Sequence, residues 1–326
     1  MHRAPVAPVH VRRRGFTLVE LMISLVLLVL MGGALARLLT GQQRFYRSAQ
    51  EALDLRAELR HAGMLLPTDL RTISPLNGDV YAWNDTMIEF RQLAGSGVLC
   101  RINAAAGGTQ QVVLPPLRLS RQSTVTSWTT TPEPGDSVLV YDEGPFVGNF
   151  DDVWRAYAIT GVATTNAGLA CSAAYLSTAA DIASSSFRLT LALPAGQASL
   201  PAGVMEGAPL RIFRRARYSL FQQTSDGLWY LGQSDCLAGR APVCSAPSAV
   251  SGPYRPYSST TPATSGLRFT YWNSAGAQLV PGVSAVETIA RIDVITRTAT
   301  KRVSAIGVGR TQYFDSLNTS VGLRNR

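Results

Sequence analysis

Histidine is scarce in this chain of 326 residues, which contains only His2, His10 and His61. The first two precede the long apolar segment described below, and residues 75–326 contain none. A Ser-His-Asp triad needs a histidine base, and most zinc sites outside all-cysteine clusters need histidine ligands. Counting alone therefore excludes histidine-based metal sites and such triads from the C-terminal body.

Charge is also scarce, because charged residues make up 16% of the chain and hydrophobic residues 46%. This balance excludes an intrinsically disordered chain. The formal net charge is +9. Residues 1–15 carry four of the arginines and no acid, and the remaining excess of +5 is spread over the rest of the sequence. Such a dilute charge is not typical of a phosphate-binding surface, so nucleic acid is not expected as a partner.

The four cysteines are Cys100, Cys171, Cys236 and Cys244, and no CxxC spacing occurs among them. Without nearby histidine, this spacing does not predict a zinc site, and we expect no metal or cofactor. If this part of the chain is exported, the four can form two disulfides, pairing Cys236 with Cys244 and Cys100 with Cys171. Four buried free thiols are the alternative.

The strongest feature is the segment Phe16–Ala36, whose sequence is FTLVELMISLVLLVLMGGALA. About twenty apolar residues suffice for a helix to cross a bilayer. Arginines at positions 12–14 precede this segment, so the positive-inside rule predicts a cytoplasmic N-terminus and export of the remainder.

Three interpretations compete for this segment: a plain membrane anchor, a cleaved secretory signal peptide and a prepilin leader. The secretory interpretation has a possible cleavage site at residues 34–36, Ala-Leu-Ala. Glu20 argues against the first two, because it lies five positions into the apolar run. An ionisable group near the centre of a spanning helix costs about 2.5–3.5 kcal/mol, and neither an anchor nor a disposable signal needs one.

Residues 14–21, RGFTLVEL, resemble the cleavage and methylation motif of type IV prepilins and pseudopilins. The resemblance implies that a dedicated prepilin peptidase cuts after Gly15 on the cytoplasmic face and methylates the new N-terminus at Phe16. It further implies that Glu20 is the acidic residue that acts in assembly. In physical terms, the terminal ammonium of one subunit can approach the Glu20 carboxylate of a neighbour when the helices bundle with an axial stagger.

Beyond the membrane segment, apolar residues recur every three or four positions, which predicts that the helix continues. They are Phe45, Ala49, Ala52, Leu55, Leu59, Ala62, Leu66, Leu70 and Ile73. Pro67 is expected to interrupt or kink the helix. The predicted organisation is a leader at 1–15, a transmembrane helix at 16–36, an amphipathic continuation at 37–74 and a β-rich periplasmic domain at 75–326.

Short β-rich runs separated by Gly, Pro, Ser and Thr follow from about residue 74. We expect strands at 86–92, 112–119, 137–142, 156–162, 187–193, 209–221, 228–231, 267–273 and 290–298. The tracts 120–134 and 241–264 are expected to be surface loops. An antiparallel sheet laid on the long helix would bury both apolar faces, so the predicted class is α+β with a pilin-like fold.

Three stretches of the body resemble large minor subunits, namely J-type pseudopilins of type II secretion and W-type minor pilins. They are ARYSL at 216–220, GLWY at 227–230 and LRFTYW at 267–272. The sequence therefore predicts a non-enzymatic minor subunit in the inner membrane, at or near the tip of a secretion pseudopilus or a type IV pilus. Its expected partners are prepilin peptidase and sibling pilins or pseudopilins.

Three alternatives use other residues. The arginines at 211, 214, 215 and 217 lie among aromatic residues, as in an uptake pilin that binds single-stranded DNA, but strand alternation would place Arg214 on the opposite face. The candidate acids for a calcium site are Asp136, Asp142, Glu143, Asp151 and Asp152, although no EF-hand spacing is present. A membrane-anchored periplasmic enzyme would have to depend on a carboxylate pair such as Asp151 and Asp152.

Overall fold

The computed structural model describes most of the chain after its first fourteen residues. The described residues are 15, 17–117, 119, 126–146, 151–166, 171, 178–237, 243–299 and 313–323. The chain divides into two compact units, residues 1–54 with 300–313, and residues 55–299 with 314–326.

Helix α1 spans Leu18–Leu70, a length of 53 residues, and belongs to both units. Its first part is rich in leucine, methionine and alanine, which lose little side-chain freedom in a helix. An 18-residue window has a mean hydropathy of 2.5 and is 0% buried. The helix is therefore long and apolar enough to cross a membrane.

In the second unit, helix α1 buries the apolar stripe predicted from the sequence. Leu55, Leu59, Ala62 and Leu66 are each at most 6% exposed. Gly63 lies on the same part of the helix. A Cβ at this position would come within 2.5 Å of the Leu317 side chain, so the close contact requires glycine. The stripe is the face that packs on the β-rich part of the chain.

The helix ends at Leu70, which corrects the expectation that it continues to residue 74. Pro67 does not stop it, since it lies inside the last turn and its carbonyl accepts the amide of Arg71 at 3.1 Å. Pro75 prevents the α-helix from resuming at residue 74, because a residue before proline is driven out of the helical region. Ser74 accordingly has an extended backbone with φ −121° and ψ 99°.

Fifteen strands and one short helix follow in the described residues. The first eleven strands are β1 (Val80–Trp83), β2 (Met87–Val98), β3 (Arg101–Ile102), β4 (Thr109–Val113), β5 (Ser127–Trp128), β6 (Ser137–Asp142), β7 (Val153–Asn166), β8 (Ser185–Ala192), β9 (Pro209–Gln222), β10 (Trp229–Cys236) and β11 (Ser248–Tyr254). The last four are β12 (Leu267–Trp272), β13 (Gln278–Leu279), β14 (Arg291–Ala299) and β15 (Phe314–Gly322). Helix α2 is Ala179–Ala183.

The strands form two antiparallel sheets. The larger sheet has the order β1-β2-β9-β6-β7-β8-β4-β3, with β10 paired to β9 and β11, and β5 paired to β2. The smaller sheet has the order β13-β12-β14-β15. A long helix followed by antiparallel β-sheets is the predicted α+β, pilin-like class, which is confirmed.

Most predicted strands are present with shifted ends, and some expectations are wrong. The run expected at 112–119 belongs to a strand that ends at Val113, because Pro115 and Pro116 follow. The tracts expected as loops contain β5 and β11. Strand β11 forms against helix α1, where the Ser251 hydroxyl donates to Glu58 Oε2 at 3.1 Å.

One hydrophobic core joins helix α1 to both sheets. It contains the α1 stripe, Tyr218 of β9, Phe269 and Tyr271 of β12, and Val321 of β15. A second cluster lies under β2, β4 and β6–β9 and includes Ile212, Leu189 and Val138. The helix and the C-terminal strand therefore share one core.

A carboxylate near the end of α1 is buried in this contact. Asp69 Oδ2 accepts the Tyr218 hydroxyl at 2.6 Å and the Gln92 amide at 2.8 Å. Burial raises the pKa of Asp69, although both hydrogen bonds act in the opposite direction. Burial also raises the pKa of Tyr218, followed by the effect of the Asp69 charge, so Tyr218 remains a donor. The network connects the helix to β2 and β9.

We expect Asp69 to contribute a gain in the unfolding free energy of the full-length protein on acidification through the window just above pH 3.8, the ordinary pKa of its carboxyl group. In that window the folded chain binds more protons than the unfolded chain, so protonation favours the folded state. Asp69→Asn keeps an acceptor for Tyr218 and Gln92 but cannot titrate, so this part of the gain should disappear.

Urea unfolding at pH 7 and pH 4, followed by tryptophan fluorescence in detergent, measures the difference. All five tryptophans lie at or beyond Trp83, in the β-rich part. Asp54→Asn, on the exposed face of the same helix, controls for the loss of a carboxylate. Equal pH dependence in wild type and Asp69→Asn would show that Asp69 does not carry the effect.

Candidate functional site

The start of helix α1 is a capping box formed by Thr17 and Glu20. The Thr17 hydroxyl accepts the Glu20 amide at 3.3 Å, and Glu20 Oε2 accepts the Thr17 amide at 2.9 Å. Glu20 Oε2 also accepts the Thr17 hydroxyl at 3.0 Å. These contacts satisfy two amides that have no partner within the helix.

Glu20 therefore has a function within its own chain that the sequence analysis missed. The spacing Thr-x-x-Glu at positions 17–20 is the signal that predicts a capping box. A carboxylate at this end of a helix is also favoured by the helix dipole. Because Oε2 accepts both Thr17 contacts, the carboxylate is held at the helix start, one turn from the residue expected to become the N-terminus.

Of the residues expected at the cleavage site, the structure describes Gly15 but not Phe16. Gly15 is exposed, and a Cβ placed there would meet nothing within 4 Å. Phe16, with its expected methylation, and residues 1–14 of the expected leader lie outside the described residues. The site at Gly15 is accessible from solvent.

The helix that follows presents apolar side chains that the described part of the chain leaves uncovered. Every described residue from Thr17 to Arg47 is exposed, and Leu18 and Leu28 are 77% and 72% exposed. A continuous apolar surface of this size marks a membrane or protein interaction site. The sequence and the exposure together fit a membrane-anchored helix.

The structure joins the four cysteines in the pairs expected from their positions. Cys100 and Cys171 form one disulfide with a Cα–Cα distance of 5.0 Å, and Cys236 and Cys244 form the other at 3.9 Å. Within the described ranges, Glu89 with Cys236 and Cys244 is a group of three potential metal ligands. Since two of its members are bonded to each other, the group offers no thiolate to a metal.

The acids considered for calcium or for catalysis are engaged separately. Asp136 Oδ2 accepts Arg214 at 2.9 Å, Asp142 pairs with Arg155, and Asp152 accepts the Tyr141 hydroxyl. Asp151 and Asp152 precede β7 rather than lying on a strand. No observation in the described ranges brings these carboxylates together as one site.

The arginines of β9 divide between two faces as alternation predicts. Arg214 is 5% exposed, and its hydrogen bond to Asp136 raises its pKa. Arg215 and Arg217, on the other face, both pair with Glu89, which is fully buried. The cluster considered for DNA is therefore split by the sheet and partly neutralised.

Comparison with protein families found one match, to the model described as the prokaryotic N-terminal methylation motif, over residues 11–36. Neither the curated proteins nor the solved structures contain a significant match to this chain. The matched range contains the expected cleavage site, the capping box and the whole apolar segment Phe16–Ala36. The match supports a type IV pilin-like protein that prepilin peptidase processes and that assembles with other pilins.

We expect Glu20→Ala and Glu20→Gln to be cleaved normally but to be lost from the filament. Glutamine keeps an oxygen acceptor for Thr17 and lacks only the charge. Comparing the two variants therefore distinguishes the loss of the charge from the loss of the helix cap. Ser24→Ala is the control, because it removes a polar group one turn from Glu20 whose hydroxyl donates to the backbone carbonyl of Glu20 at 2.8 Å and does not contact the Glu20 carboxylate.

Cleavage is monitored by the electrophoretic mobility of the membrane-bound protein. Incorporation is measured as the fraction of the protein that is recovered in sheared or purified filaments. Normal incorporation of Glu20→Gln alongside failure of Glu20→Ala would assign the role to capping and reject a charge-based register.

Proposed function

We propose that this protein is a minor pilin-like structural subunit of a type II secretion pseudopilus or a type IV pilus. Prepilin peptidase removes residues 1–15 and methylates Phe16, and the apolar helix holds the mature chain in the inner membrane. The β-rich part lies in the periplasm and meets sibling subunits at or near the filament tip. The observation that carries the proposal is the methylation-motif match, centred on Gly15, Phe16 and Glu20.

Two features support a minor subunit with an exported head. The chain has 326 residues, and major pilins and pseudopilins are usually much shorter. The two disulfides fit an oxidising compartment such as the periplasm. The proposed role is structural and involves no enzymatic activity.

The proposed assembly step uses Glu20 a second time. Cleavage creates an ammonium group at Phe16, and a neighbouring helix with an axial stagger can bring that ammonium to the carboxylate. At ~4 Å and an effective dielectric constant near 20, such a pair attracts by about 4 kcal/mol before desolvation is counted. This ion pair then sets the axial register between subunits. It also offsets the free-energy cost of placing the Glu20 carboxylate in the membrane.

Mass spectrometry of the protein isolated from its native host tests the proposal at its first step. We expect a mature N-terminus at N-methyl-Phe16, with residues 1–15 absent. A strain without prepilin peptidase is the control and should retain the leader. An N-terminus at Met1 would identify a plain anchor, and one at Arg37 a secretory signal; either result refutes the proposed function.

A further inference from the structure

A cleft of about 360 Å³ opens on the half-exposed face of the larger sheet, within the second unit. Its lining residues are Arg71, Thr72, Leu93, Arg211, Phe213 and Gly322. We call it the Arg71–Arg211 cleft. The lining therefore combines two arginines and a threonine with apolar surface from Leu93 and Phe213, which is the composition of a site for an anion attached to an apolar body.

A bulge in β2 shapes the cleft. Leu93 pairs with Phe213, but the register shifts between Leu93 and Gly95, so that Ser96 next faces Arg211. The extra residue, Ala94, is 2% exposed and turns away from the cleft. Bulges commonly redirect side chains beside functional sites, and this one separates Leu93 from Ser96 on the open face.

Two other segments complete the wall. Arg71 and Thr72 directly follow the end of α1, where the Thr72 amide donates to the Asp69 carbonyl at 3.2 Å. Gly322 ends β15, and a Cβ there would meet nothing within 4 Å. The wall is therefore open at this point, and a ligand can reach the floor.

The acids on this face are already paired with other arginines. Asp79 pairs with Arg91 at 3.0 Å, and Glu89 pairs with Arg215 and Arg217. Arg211 instead lies over the Trp154 ring at 4.7 Å. Among the described residues, no ion pair joins a carboxylate to Arg71 or Arg211, so the cleft has two cations to offer to an incoming anion.

The ring faces beside the cleft argue for a carboxylate over a nucleic acid. Single-stranded nucleic acids bind where bases can stack on open aromatic faces. Here Arg211 covers Trp154, and Arg215 covers Tyr81 at 4.4 Å. A single acidic side chain needs no free ring and fits between two guanidinium groups.

We propose that the Arg71–Arg211 cleft is a docking site for a sibling pilin-like subunit. An aspartate or glutamate of that subunit pairs with Arg71 and Arg211, and an adjacent aliphatic or aromatic side chain packs on Leu93 and Phe213. The identity of the partner rests on the proposed function. Arginine with apolar neighbours in a partly enclosed cleft is the usual composition of an interface hot spot.

A photoreactive amino acid at Leu93 in the full-length chain, expressed in the native host, tests the docking site. Irradiation should join it to a peptide of a sibling subunit that contains Asp or Glu within a few residues of the cross-link. Arg71→Gln with Arg211→Gln should reduce the yield by about tenfold or more, the effect of losing roughly 1.4 kcal/mol of binding. Arg101→Gln, an exposed arginine on β3, should leave it unchanged.

Charge exchange makes the test specific. Arg211→Glu should lose the cross-link, and replacing the identified partner acid with arginine should restore it. Unchanged far-UV circular dichroism in each variant shows that the head is folded; tryptophan fluorescence does not serve here, because Arg211 lies against the Trp154 ring. Cross-links to nucleic acid, to lipid or to peptides without acids would overturn the proposal, as would a yield that the double substitution leaves unchanged.

The two proposals can fail separately. If the mature protein lacks methyl-Phe16, the proposed function is wrong. If the protein is processed and found in filaments but gives no acid-containing cross-link at Leu93, the docking site is wrong and the proposed function is untouched. A second photoreactive position at Val283, 84% exposed and away from the cleft lining, reports non-specific labelling.

Discussion

Water must be kept from the apolar start of helix α1, residues 18–36, by something other than the described part of this chain. Every residue there is exposed, and the most apolar window is 0% buried. In water this surface would aggregate, whereas in lipid it costs nothing, because lipid tails are as apolar as leucine. The remaining requirement is that polar groups inside the segment find partners, and this requirement falls mainly on Glu20.

Glu20 can meet two demands because a carboxylate has two oxygens. Oε2 accepts both contacts from Thr17 and fixes the start of the helix. Oε1 remains to accept the ammonium of a neighbour in the proposed assembly, so capping and pairing do not compete for the same atom.

The sequence predicted best where one physical signal dominated. The apolar length of α1, the alternation of β9 and the run at β6 required only local periodicity, and β6 has the predicted bounds. Strand β15 was missed because Asp315, Ser316 and Asn318 give it little apolar character, and its pairing partner supplies the stability. The cleft could not be predicted, since the Leu93 bulge and the approach of Arg71 depend on contacts between distant segments.

The contact between the last strand and the first helix controls when the head can fold. Leu317 packs against Gly63, and Val321 joins the core that buries Leu59 and Leu66. These partners are about 250 residues apart, so this contact forms only after β15 has been synthesised. Closing so long a loop is slow. Until it closes, the stripe can pack on Tyr218 and Tyr271, but the helix lacks the cover that Leu317 and Val321 supply.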